Sequence, residues 1–149
     1  IIGISKSVID LERIGDEAKK IAKTAKQIHT AVSPFMPQIR LSHIADAVVD
    51  MLRTSLDAYA RLDTIAAAQV VRQDKEVDAE FKGIMRQLIT YMMEDPRTIS
   101  QAIELMFVAK SVERIGDHAK NIAEYVVYMV KGRDVRHTSL EEIEREAMR

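Results

Sequence analysis

The chain has 149 residues, with 22 Lys and Arg against 23 Asp and Glu for a formal net charge of −1, and it contains no cysteine. That length supports one domain with a sizeable core and is too short for two large ones. The charge balance gives no electrostatic footprint for nucleic acid, and the lack of cysteine excludes disulfides, zinc fingers and thiol chemistry, in keeping with a cytoplasmic protein.

An aromatic content of 5%, with five glycines and three prolines, favours helices over sheet. No apolar run approaches the ~18–20 residues that span a bilayer, and no signal-peptide pattern opens the chain. Ile1-Ile2-Gly3-Ile4 leads straight into a helical pattern, as expected for the middle of a longer protein.

The first predicted helix runs to about Ile28, with Ile4, Val8, Leu11, Ile14, Ala18, Ile21, Ala25 and Ile28 at spacings of three and four. Ser33-Pro34-Phe35-Met36-Pro37 stops it, because each proline lacks a donor and restricts its predecessor. A second helix spans about Gln38 to Leu62. Asp63 or Thr64 caps a third, which continues to about Glu94, where Asp95-Pro96 breaks it. Thr98 or Ser100 starts a fourth, ending at Lys131-Gly132, a cation followed by a C′ glycine. The charged tail, residues 133–149, holds Ser139-Leu140-Glu141-Glu142, a capping-box pattern consistent with a short terminal helix that is mobile unless docked. Short connections between long helices predict antiparallel neighbours, so residues 38–132 form an up-down-up three-helix bundle in an all-α fold.

Glu12-Arg13-Ile14-Gly15-Asp16 returns about a hundred residues later as Glu113-Arg114-Ile115-Gly116-Asp117. The match extends through Ala18/Ala119, Lys19/Lys120, Ile21/Ile122 and Ala22/Ala123. Self-similarity at a fixed period marks the building unit. The second copy lies on the third helix of the bundle, so residues 1–32 are expected to be the last helix of an earlier, incomplete three-helix repeat.

Each copy sets two carboxylates at i, i+4, one turn apart on one helix face, where they can share a hard cation. At ~100° per residue, Glu12/Asp16 and Glu113/Asp117 fall on the flank of their apolar stripes, outside the bundle seam. The third helix offers a further pair, Asp74 and Asp78, expected to converge with Glu113 and Asp117 on one patch. Clustered carboxylates repel unless a cation relieves them, and oxygen-only ligands suit Mg, Mn, Ca or Fe(III) rather than Zn or Cu. The competing account is a solvated acidic helix face that Lys75 or Arg114 neutralises without metal. Mid-helix glycine costs ~1 kcal/mol relative to alanine, so Gly15 and Gly116 are each expected to face a close neighbour.

Catalysis finds little support. A di-iron bundle needs inward carboxylates and Glu-x-x-His, and no glutamate here has a histidine three residues later. His118 is expected at the surface, and no phosphate loop or nucleophile elbow is present. A metal-dependent helical-bundle enzyme and a metal-free structural adaptor remain as alternatives.

The repeated block, the Asp74/Asp78 pair, the stretch Arg86-Gln87-Leu88-Ile89-Thr90-Tyr91-Met92-Met93-Glu94-Asp95-Pro96-Arg97-Thr98-Ile99 and the segment Tyr128 to His137 closely resemble the PhoU family. The resemblance covers the chain from its first helix to His137. It implies two repeated three-helix bundles, with about seventy residues of the first absent here. It also implies a cytoplasmic, non-enzymatic negative regulator of the phosphate-starvation regulon, acting with the ATPase of a phosphate ABC transporter and a membrane sensor histidine kinase. Association with membrane complexes is then peripheral. Metal motifs of the family map onto Glu12 and Asp16, Asp74 and Asp78, and Glu113 and Asp117, with Mg, Mn or Fe as the implied ion. The first helix, with its apolar stripe and without its two covering helices, is expected to bury that stripe against residues 38–132 of its own chain or, as the favoured alternative, against a second copy in a homodimer.

Overall fold

A computed structural model describes residues 2–30, 34–132 and 140–148. Among them are α1 (Ile2–Thr30), α2 (Ser42–Arg61), α3 (Thr64–Glu94), a single 3₁₀ turn at Pro96–Thr98, α4 (Ile99–Lys131) and α5 (Leu140–Met148), and no strand. No helix among these residues is long and apolar enough to cross a membrane.

Local chemistry sets the boundaries. Asp63 caps α3, its carboxylate accepting from the backbone N–H groups of Ile65 and Ala66 at 3.1 and 3.0 Å. Asp95 accepts from the Arg97 backbone N–H at 3.0 Å, which tightens the turn that reverses the chain into α4. Gly132, at φ +66°, closes α4 with its N–H on the Tyr128 carbonyl, a conformation that glycine adopts without a Cβ penalty. α2 begins at Ser42 rather than near Gln38, since the residues from Gln38 to Leu41, which follow two prolines, run as irregular chain.

The second, third and fourth helices pack on one another as the expected bundle. Its core includes Ile44, Val48 and Met51 of α2, Val70, Val77 and Leu88 of α3, and Ala109, Ala119 and Val126 of α4, all at most 2% exposed. At roughly 25 cal/mol per Å² of apolar surface, such burial is the main force holding the three helices together. The tail's short helix docks on α3. Ile143 and Ala147 are buried, Thr64 Oγ1 donates to the Ala147 carbonyl at 2.9 Å, and Arg72 Nε donates to Glu144 at 2.7 Å. Ser139, the expected cap, lies outside the described residues.

α1 lies antiparallel along α4, and here the apolar stripe read from the sequence divides. The helix docks through Ser7, Asp10, Ile14, Glu17, Ile21 and Ile28, spaced as one heptad seam. Ile4, Val8 and Leu11, at 56%, 50% and 41% exposure, and Ala18, Ala22 and Ala25 stand in solvent on the adjoining face. An apolar groove runs between that face and α2, lined by Ile4, Val8, Leu11, Leu56, Tyr59 and Ile122. The repeat explains the division. Ile4, Val8, Leu11, Gly15, Ala18, Ala22 and Ala25 correspond in α4 to Leu105, Ala109, Val112, Gly116, Ala119, Ala123 and Val126, every one buried. The face that α4 turns to α2 and α3 is the face that α1 leaves exposed.

Candidate metal centre

α3 and α4 are antiparallel neighbours, and their i, i+4 acidic pairs come into register in the seam between them. Asp74, Asp78 and Asp117 each present a carboxylate oxygen within a sphere where all three lie within 4.8 Å of one another. Asp74 is 4% exposed, and its Oδ1 is buried with no hydrogen-bond partner among the described residues. A buried carboxylate oxygen without a donor is costly, and a cation would satisfy it.

Charge accumulation shows in the titration of the cluster. Burial, followed by the repulsion of Glu113, Asp74 and Asp78, pushes the Asp117 carboxyl up to about 7. Burial also raises Asp74, against the attraction of Lys120, with Asp78 and Glu113 adding to the rise. Glu113 is therefore electrostatically part of the group, although its own carboxylate is taken by Lys110 at 2.6 Å. Lys120 Nζ approaches Asp74 Oδ2 at 3.7 Å and Glu124 at 3.8 Å.

Gly116 packs close to the side chains of α2 and α3 beside Asp74. A Cβ built there would meet Val48 at 3.4 Å, Val77 at 3.8 Å and Asp74 Oδ1 at 3.9 Å. Its counterpart Gly15 has nothing within 4 Å, so the expected close neighbour is found for the second copy of the motif and not for the first.

Two sequence expectations are corrected and a third holds. The second-copy carboxylates do not sit outside the seam: Glu113 is buried at 9% exposure and Asp117 is half-buried, because α4 uses that flank to pack on α3. A helix in a three-helix bundle covers two flanks, and one centred stripe does not describe it. Glu12 and Asp16 on α1 are exposed on the flank where their spacing placed them, away from the cluster and with no second acidic pair beside them among the described residues. His118 is not a surface side chain. Its ring nitrogen Nδ1 lies 2.8 Å from Asp10 Oδ1, and only 16% of the side chain is exposed.

That last pair belongs to a buried polar seam that sequence reasoning missed. Asp10 also accepts from Asn121 at 3.2 Å. Two turns along, Glu17 meets Lys20 at 3.2 Å and Arg114 at 3.8 Å. The signal was present, since Asp10, Ile14, Glu17 and Ile21 are spaced by three and four, but the stronger apolar period of the same helix masked it.

With only oxygen ligands, the cluster fits a hard cation such as Mg, Mn or Fe(III). Comparison with known proteins is consistent with the geometry. The PhoU domain family model matches residues 41–126. A phosphate-specific transport system accessory protein PhoU homolog of Pseudomonas putida is 52% identical over 140 residues, 94% of this chain and 55% of that protein. The accessory protein PhoU of Escherichia coli strain K12 is 44% identical over 97% of this chain and 60% of its own length. The chain thus spans little more than half the length of these relatives. Among solved structures, PhoU from Pseudomonas aeruginosa superposes with a TM-score of 0.83 at 51% identity, over 89% of this chain and 63% of that one.

Proposed function

The chain belongs to the PhoU family, and on that footing we propose that it is part of a non-enzymatic regulator of phosphate homeostasis that carries a hard cation between α3 and α4. The full protein would act in the cytoplasm as a negative regulator of the phosphate-starvation regulon and a modulator of the phosphate ABC transporter. Its partners would be the transporter ATPase and a sensor histidine kinase, met at the membrane without insertion. In this reading α1 is the third helix of a first repeat and residues 38–132 are the second. Glu12 and Asp16 would gain a cation once another acidic pair covered them.

One observation carries the metal reading: the convergence of Asp74, Asp78 and Asp117 around a buried oxygen that lacks a donor. Asp74, Asp78 and Asp117 would hold the ion and Glu113 would add negative potential. When bound, the ion neutralises the charge that α3 and α4 share and so ties the two helices together. Divalent and trivalent ions have far more to gain here than Na or K.

Lys120 favours a second reading, a metal-free adaptor in which the lysine is the counter-ion. Metal analysis and calorimetric titration with Mn and Fe(III), on protein prepared without chelator, separate the two. The metal reading expects uptake that Asp78→Asn with Asp117→Asn abolishes while helicity is retained. Uptake equal in the double variant and the parent would leave the adaptor. Pull-down of the ATPase and kinase cytoplasmic domains with the full-length protein, with and without metal, tests the regulatory part.

A further inference from the structure

The outer face of the α3–α4 pair changes character along its length. Toward the Asp95–Thr98 turn it becomes apolar. Ile89 and Met93 of α3 stand at 45% and 79% exposure, and Ile99, Ile103 and Phe107 of α4 at 40%, 40% and 60%. Their spacing puts each set on one helix face: i, i+4 on α3, and i, i+4, i+8 on α4. The register of the two helices is set farther along, where Asp78 meets Asp117 and Lys110 lies over the Phe81 ring at 5.2 Å. The short turn brings the two stripes side by side at the end of the bundle. Most exposed apolar side chains on a monomer are scattered; five large ones on one two-helix ridge form a patch that marks an interaction surface.

Cations edge that patch. Arg86 and Lys82 continue the α3 face about one and two turns before Ile89, both exposed, and among the described residues neither has an ion-pair partner. Lys110 continues the α4 face after Phe107. Apolar centre and basic edge together describe what would fit. We infer that the stripe formed by Ile89, Met93, Ile99, Ile103 and Phe107 is a docking site for an amphipathic helix of a protein partner that carries carboxylates along one flank. The partner's apolar side chains lie against this stripe, and its carboxylates meet Lys82 and Arg86. Two to three turns of helix match the length of the patch.

An anionic membrane is disfavoured by the rest of the same face. The half-buried carboxylates of Asp78 and Asp117 follow ~15 Å from Ile89 and Phe107, by the helical rise, and would be pressed toward lipid headgroups. The docking residues are distinct from that cluster, and it is in the cluster's cation-free state that a membrane is disfavoured.

Two synthetic helical peptides test the proposal. They share one leucine stripe at i, i+4, i+7 and differ only in flanking residues, glutamate in one and lysine in the other. Binding to the 149-residue chain is read by fluorescence anisotropy at physiological salt. The glutamate peptide is expected to bind at least tenfold more tightly than the lysine peptide. Met93→Ser with Phe107→Ser should abolish binding with the circular dichroism spectrum unchanged, and Lys82→Glu with Arg86→Glu should reverse the preference between peptides. Equal binding of both peptides, binding insensitive to those variants, or no binding would overturn the proposal. So would binding to phosphatidylglycerol vesicles that Met93→Ser with Phe107→Ser removes while leaving peptide affinity intact, or self-association through the patch that the same variant dissolves.

Discussion

Asp117 shows how one side chain reports on the whole cluster. With its carboxyl pushed up to about 7 from an ordinary 3.8, the folded chain keeps a proton that the unfolded chain has already lost. The folded state is therefore favoured at low pH, and this group makes the metal-free protein lose stability as pH rises from 3.8 to about 7. Asp117→Asn removes that contribution. In chelator at pH 8, its Tm is expected to lie a few degrees above wild type, and at pH 4 the two should nearly coincide. Saturating Mn should narrow or invert the gap at pH 8, because only the parent gains the full ligand set. A variant no more stable than wild type in chelator at pH 8 would show that the carboxylates are not crowded. The paired glycines make a second residue-scale contrast. Gly15→Ala meets open space and is expected to gain up to about 1 kcal/mol from helix propensity. Gly116→Val would drive branched methyls into Val48 and Asp74, and overpacking of that kind typically costs ~1–3 kcal/mol. Denaturant unfolding of both variants decides it, and similar effects at the two positions would contradict the structural difference between the copies. Sequence made the glycines look equivalent; a neighbour contributed by α2 and α3 distinguishes them.

At the scale of elements, the helices follow from local signals, whereas α1's docking face does not. Asp63, Pro96 and Gly132 mark boundaries by capping, ring geometry and left-handed backbone, and each was readable. α1 presents two faces with heptad spacing, and the more polar one is buried. A buried carboxylate bonded to a histidine and an asparagine is tolerated at a helix interface because both of its donors come from α4. Asp10→Ala leaves those donors without their acceptor and is expected to weaken α1 docking by ~1–3 kcal/mol. Hydrogen exchange should then quicken along α1 while the α2–α4 core keeps its protection. Equal acceleration in every helix would mean that α1 and the bundle unfold as one unit and that the seam has no separate stability.

Across the whole molecule, one stretch of exposed apolar surface lies on the α1 face whose α4 counterpart is buried. Ile4, Val8 and Leu11, with the groove they share with Leu56 and Tyr59, form a patch of the kind that drives association. The 149-residue chain is expected to self-associate at micromolar concentration, with Val8→Lys and Leu11→Lys together restoring a monomer. Both positions are exposed, so the fold should tolerate the changes within ~0.5 kcal/mol each. Sedimentation velocity measures it, and a clean monomer of the unaltered chain would show that α1's free face does not need a cover. The same α4 positions are buried by α2 and α3.

Sequence alone was enough for the helical class, the number of long helices and most of their limits (though not the start of α2, at Ser42 rather than near Gln38), the three-helix bundle and the carboxylates to watch. These depend on short-range periodicity, caps and breakers, which act within a few residues of the chain. Only the tertiary structure decided which flank each helix buries. That choice turned Asp74 and Glu113 from flank residues into buried ones, set Lys120 beside Asp74, paired His118 with Asp10, and left Glu12 and Asp16 in solvent. Two identical ExxxD motifs have the same local geometry. Their environments differ because desolvation and neighbouring charge come from other helices, and no spacing within one helix encodes those.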